Sequence, residues 1–140
     1  MQLGTQILAA FLLVVLMVLI HGLGVVWVTK LLRLEDSALR AHQLDYRAFG
    51  LLTSMALSLF ALHALEIALF GLFYLQVGAI EAVEEALYFS ASSYATLGHP
   101  DIDFPPQWRL VGALEGLVGF LLLGWSTAVF VTDMNKLLRK

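Results

Sequence analysis

The sequence predicts an all-α membrane protein with three spanning helices and one half-length helix that enters the bilayer and returns. Three observations carry this prediction. The 140 residues are 60% apolar and only 14% charged, with a mean hydropathy of +0.85, far outside the composition of a domain folded in water. Three apolar stretches, 5–28, 49–77 and 110–131, each exceed the roughly 20 residues that a helix needs to cross hydrocarbon. A fourth segment, 81–94, has a helical pattern but at about 1.5 Å per residue is too short to cross, and Gly98 and Pro100 break the backbone just beyond it.

Each element follows from local chemistry. Residues 1–29 are expected to form a retained N-terminal transmembrane helix. The apolar run lacks a basic leader and a small-residue cleavage pattern, and it is about twice the length of a secretory core. The polar linker 30–48 carries Lys30, Arg33, Arg40 and Arg47, and the tail 136–140 carries Lys136, Arg139 and Lys140. The long connection between the second and third spans has Arg109 alone, at its end, so the positive-inside rule puts linker and C-terminus in the cytoplasm and the N-terminus outside. The segment 49–135 then contains a helix at 49–77, a half-helix at 81–94 opened by Glu81, Glu84 and Glu85, an irregular stretch at 95–101 and a last helix at 109–133. Irregular backbone at membrane depth is tolerated where protein buries it or where it lines a watery path. With one such loop per chain, a closed path requires symmetry, most simply a four-fold ring.

The residues from Ala86 to Thr96, ending in Ser92-Ser93-Tyr94-Ala95-Thr96, followed by Leu97-Gly98-His99-Pro100-Asp101, resemble the pore helix and filter of tetrameric potassium channels. In that family the filter runs Thr-Val-Gly-Tyr-Gly-Asp. Trp108-Arg109-Leu110 resembles the start of the family's inner helix, Gly119 falls where a hinge glycine is common, and Gly124 with Thr127-Ala128 continues the pattern. The resemblance covers 49–135 and implies a homotetrameric cation channel in which Gly119 and Gly124 bend at a gate and the first helix is an addition; Gly112, Gly116 and Gly119, small residues at helical spacing, also suit close helix packing. It also implies potassium, with sodium, as permeant ions, no resident cofactor, a lipid bilayer as surroundings and a bacterial inner membrane as location.

The inner half of such a filter is chemically sound here. Thr96 can supply a hydroxyl ring, its carbonyl and that of Leu97 can line ion sites, and Gly98 can adopt the φ values an inward carbonyl stack requires. The outer half departs from the family. Pro100 fixes φ near −65° and lacks an amide hydrogen, and it restricts His99 to extended backbone. The departure is similar to that of weakly selective cyclic-nucleotide-gated channels, which implies poor discrimination between potassium and sodium. Asp101 and Asp103 form either acidic rings at the outer mouth or a solvated loop. His99 faces either the axis, where acid would close the path, or the protein behind it.

Ionisable residues inside spans are costly and mark function or mutual pairing. His63 and Glu66, three apart on one helix face, form a hydrogen-bonded pair or a proton- or metal-linked site. Two ligands fall short of a metal site. Counted from the ends of the apolar runs, His21 differs from His63 by about 10 Å in depth and is expected to stand apart. Glu115 either braces the filter from behind through Ser92 or Ser93, a role that an acidic residue of the pore helix commonly has in relatives, or makes an interhelical bond unrelated to the filter. Tyr74 and Trp108 suit the membrane interface, and Trp125 the space between helices.

The absence of cysteine removes disulfides and thiolate chemistry, and the eight basic residues, gathered mainly in two clusters rather than a stripe, offer no nucleic-acid footprint. No hydrolase or metalloprotease motif sits at membrane depth, so no enzyme is expected. The alternative to a channel is a non-conducting protein on the same fold that binds a metal ion, a proton or a partner subunit.

Overall fold

The computed structural model describes residues 3–36, 46–98 and 104–138. The expectations for His99, Pro100, Asp101 and Asp103 lie outside the described residues. Four α-helices form: α1 Leu3–Asp36, α2 Tyr46–Gln76, α3 Val83–Tyr94 and α4 Arg109–Leu138, with a short 3-10 turn, Pro106–Trp108, leading into α4. Three helices are long and apolar enough to span a bilayer, and the fold class is that of an all-α membrane protein.

The ends of the elements follow the breakers. α2 stops where Gly78 adopts φ +65°, and the Ala79 amide folds back to the Tyr74 carbonyl at 2.9 Å. Such a left-handed cap satisfies carbonyls that a helix end would leave without partners. α3 begins after Ala82 with no side-chain cap, and Glu84 and Glu85 in its first turn complement the helix dipole instead. At about 1.5 Å per residue its 12 residues reach about 18 Å, well short of the roughly 30 Å a span requires. Pro106 opens the turn before α4 at a position where a missing amide hydrogen does no harm.

α1 is longer than its apolar run indicates, continuing as helix through Leu31 to Asp36. α3 packs against α2 and α4, and α1 packs against both α2 and α4. At one end of the bundle an aromatic cluster ties α2, α3 and the segment before α4 together. Phe89 stacks on Phe104 at 4.0 Å between ring centroids, and Tyr74 meets Phe89 edge-on at 5.0 Å and Phe104 at 5.4 Å. The two edge-on contacts have the preferred aromatic geometry. Tyr74 is fully buried in that cluster, which corrects its expected place at the interface. At the other end Val25, Val28, Met55 and Leu59 join Val129 and Phe130 in a smaller apolar core. Between the two ends lies a layer of buried polar side chains.

The outer faces of the spans are apolar as well. Phe11, Phe49, Phe60, Phe120 and Leu121 are all exposed in the single chain, as a lipid or subunit environment requires.

Candidate pore segment and buried polar cluster

The irregular segment after α3 is held by the last turn of that helix. The Thr96 amide donates to the Ser93 carbonyl at 2.8 Å, and the Leu97 amide donates to the Ser92 carbonyl at 2.8 Å. The Gly98 amide reaches the same Ser92 carbonyl at 3.4 Å. Ser92 and Ser93 therefore support this stretch through their main chains. With the amides turned back into α3, the carbonyls of Thr96, Leu97 and Gly98 accept no backbone bond among the described residues. Thr96 and Gly98 both have positive φ, +60° and +78°. A β-branched residue in that region is strained. Ala95, Thr96, Leu97 and Gly98 are all exposed in the single chain.

α4 approaches α3 through glycines. A Cβ at Gly119 would lie 2.4 Å from the Tyr94 carbonyl oxygen, and one at Gly116 would lie 3.0 Å from the Ser93 carbonyl oxygen. Small residues at this spacing permit close helix approach inside membranes. Gly124 meets nothing within 4 Å. Beside this seam a groove of about 550 Å³ opens between the segment and α4, lined in part by Ser93, Thr96, Gly98, Ala113, Gly116 and Phe120.

The seam also sets the place of Glu115. With Gly116 and Gly119 against the end of α3, Glu115 lies further back along that helix. Its carboxylate accepts hydrogen bonds from the hydroxyls of Ser90 and Tyr74, not from Ser92 or Ser93. The expected brace is thus corrected: Glu115 joins α4 to the middle of α3 and to α2. Ser90 also donates to the Ile67 carbonyl at 2.8 Å.

A second polar cluster joins all four helices. His21 Nδ1 lies 2.9 Å from Glu66 Oε1, and His63 Nδ1 lies 3.2 Å from Glu66 Oε2. The Tyr94 hydroxyl donates to Glu66 Oε2 and stands 2.8 Å from His63 Nδ1. Ser126 Oγ bridges the far sides of both rings, 3.0 Å from His63 Nε2 and 3.2 Å from His21 Nε2. The two imidazole centroids are 5.2 Å apart, and the Trp125 ring stands 5.3 Å from that of His21. His21 and Glu66 are completely buried and His63 is 9% exposed.

This overturns the separation of His21 from His63. Helix α1 ends at Asp36, not near Val28, so His21 is 36 − 21 = 15 residues from that end, while His63 is 63 − 46 = 17 residues from the matching end of α2. At about 1.5 Å per residue the two differ in depth by only about 3 Å. Depth counted on hydropathy alone missed the continuation of α1, although Leu31, Leu32 and Leu34 follow Lys30 at positions compatible with helix. Ser126 and Tyr94 were also overlooked, being ordinary residues until the helices bring them together.

Neither the search of curated proteins nor that of solved structures finds a match to the chain. A family model described as an ion channel matches residues 52–136, which begins within α2, takes in α3 and ends within α4, with α1 lying before it. That match spans more than half of the sequence and coincides with the two long helices and the half-helix between them. The chain belongs to the ion channel family, as an integral membrane transport protein of the two-helix, potassium-channel-like type.

Proposed function

We propose that four copies of the chain surround a cation path in which Thr96, Leu97 and Gly98 supply the inner ion sites and discrimination between potassium and sodium is weak. The observation that carries this reading is the backbone after α3. Its amides are drawn back to the Ser92 and Ser93 carbonyls, and among the described residues the carbonyls of Thr96, Leu97 and Gly98 accept no backbone hydrogen bond. A ring of such carbonyls replaces the water shell of a monovalent cation. The exposed groove beside Thr96 and Phe120 then becomes a surface covered by the neighbouring copy.

Weak selectivity follows from Pro100 and His99 in the outer half of the sequence motif, because proline removes an amide hydrogen and constrains the backbone on both sides. Asp101 and Asp103 concentrate cations at the outer mouth. In this reading Gly119 and Gly124 bend α4 at a gate, the N-terminus lies outside and the C-terminus in the cytoplasm.

The test is flux of potassium and of sodium into liposomes holding the purified chain. Comparable rates for the two ions support the reading. Strong preference for potassium removes the weak-selectivity component, and no flux of either ion removes conduction. A fall in flux on acidification that is absent in His99→Tyr places the imidazole on the path.

A further inference from the structure

The His21, His63, Glu66 and Ser126 side chains close a four-membered hydrogen-bonded ring: carboxylate to His21, His21 to serine, serine to His63, and His63 back to carboxylate. Four bonds need four hydrogens. A carboxylate, two neutral imidazoles and one hydroxyl carry three between them. The Tyr94 hydroxyl, 2.8 Å from His63 Nδ1, brings the fourth, so the network closes around an ionised Glu66, and among the described residues no Lys or Arg pairs with that carboxylate. A carboxylate buried in a membrane without a cation is expensive.

From this cluster we infer that His21, His63 and Glu66 form a buried binding site for a divalent transition-metal ion of the zinc class, with the Tyr94 hydroxyl as fourth donor. The ligand atoms of the two histidines and the glutamate all lie within 4.8 Å of one another. With Oε2 as the Glu66 ligand, His63 Nδ1 stands 3.2 Å from it and 2.8 Å from the Tyr94 oxygen, close to the edge of about 3.3 Å that a tetrahedron has when its centre is about 2.0–2.1 Å from nitrogen and oxygen, while His21 Nδ1 stands 2.9 Å from the other oxygen, Oε1. Two imidazoles and a carboxylate suit zinc or cobalt, whereas magnesium and calcium demand six or more oxygens. The facing groups are few: His21 from α1, His63 and Glu66 from α2, Tyr94 from α3 and Ser126 from α4. Glu115, the other buried acid, is engaged by Ser90 and Tyr74.

The exchange balances. A metal ion takes the Nδ1 lone pairs of both histidines and an oxygen of Glu66. Each histidine then keeps one hydrogen on Nε2, and both donate to Ser126 Oγ, which has two lone pairs. The two Nε2 atoms and Ser126 keep their hydrogens, and Tyr94 gives up its own as its oxygen joins the ion, so of four hydrogens three remain and one proton leaves for each ion bound.

The experiment uses the full chain in detergent, stripped with a chelator and titrated with zinc or cobalt. Support consists of tight uptake of one zinc per chain, release of at least one proton per ion, visible bands of tetrahedral cobalt, and no competition from excess magnesium. His21→Ala lowers affinity more than about a hundredfold. Ser126→Ala keeps every ligand and lowers it about tenfold, as loss of an outer-shell hydrogen bond does. Should His21→Ala fail to fold, the stripped parent decides alone. No uptake by the parent, uptake without proton release, or uptake that magnesium abolishes overturns the inference and leaves the cluster a hydrogen-bonded brace between the helices.

Discussion

Gly119 and Gly124 lie five residues apart on α4 and differ in what surrounds them. A methyl group at 119 would strike the Tyr94 carbonyl oxygen and ring, whereas at 124 it would meet nothing. Gly119→Ala is expected to lower stability by about 1–3 kcal/mol, the range for overpacking. Gly124→Ala should raise it by up to about 1 kcal/mol through helix propensity. Thermal unfolding of the two variants in detergent checks both signs. Glu115 offers a second contrast. Glu115→Leu leaves the buried Tyr74 hydroxyl without its acceptor and should cost about 1–3 kcal/mol, while Ser90 falls back on the Ile67 carbonyl. Adding Tyr74→Phe should recover most of that loss, because the unsatisfied donor disappears. A double mutant no more stable than Glu115→Leu would show that Tyr74 is not the group left unsatisfied.

At the scale of elements, α3 and the turn after it act as one unit. Thr96 holds φ +60°, which for an L-residue costs roughly 1–2 kcal/mol, and the segment bears this because Ser92 and Ser93 carbonyls capture three amides in succession. Thr96→Gly should relieve about 1 kcal/mol of strain, raising the unfolding temperature, while reducing cation flux by removing the hydroxyl. An unchanged unfolding temperature would count against strain at this position. α1 has a comparable dependence on its neighbours, because it supplies His21 to Glu66 and its Gly22 lies against Trp125. A chain beginning at Tyr46 should aggregate, having lost His21 as partner for a buried carboxylate. The same truncation carrying Glu66→Leu and His63→Leu should be recovered in higher yield as a discrete species on size-exclusion chromatography.

The molecule as a whole presents apolar side chains both on its lipid-facing surfaces and on the face that carries Thr96, Leu97 and Phe120. A single copy cannot surround an ion with one irregular segment. In native mass spectrometry the solubilised protein is expected to give four chains of 15.4 kDa each, about 62 kDa together. A persistent monomer or dimer would remove the symmetric path on which conduction depends.

Hydropathy and backbone breakers already determine which stretches are helices, that one of them is too short to cross, and that Thr96-Leu97-Gly98 follows it. These properties depend on neighbours in the chain, such as Gly78 ending α2 and Pro106 opening the turn before α4. Only the tertiary structure decided who partners whom across helices. A helix that is apolar all round shows no buried stripe, so neither its rotation nor its axial offset can be read from the pattern of residues. Those two quantities came from packing, through the Gly116 and Gly119 seam and the length of α1. They moved Glu115 from Ser92 and Ser93 to Ser90 and Tyr74, and brought His21 from an isolated position into the ring with His63, Glu66 and Ser126.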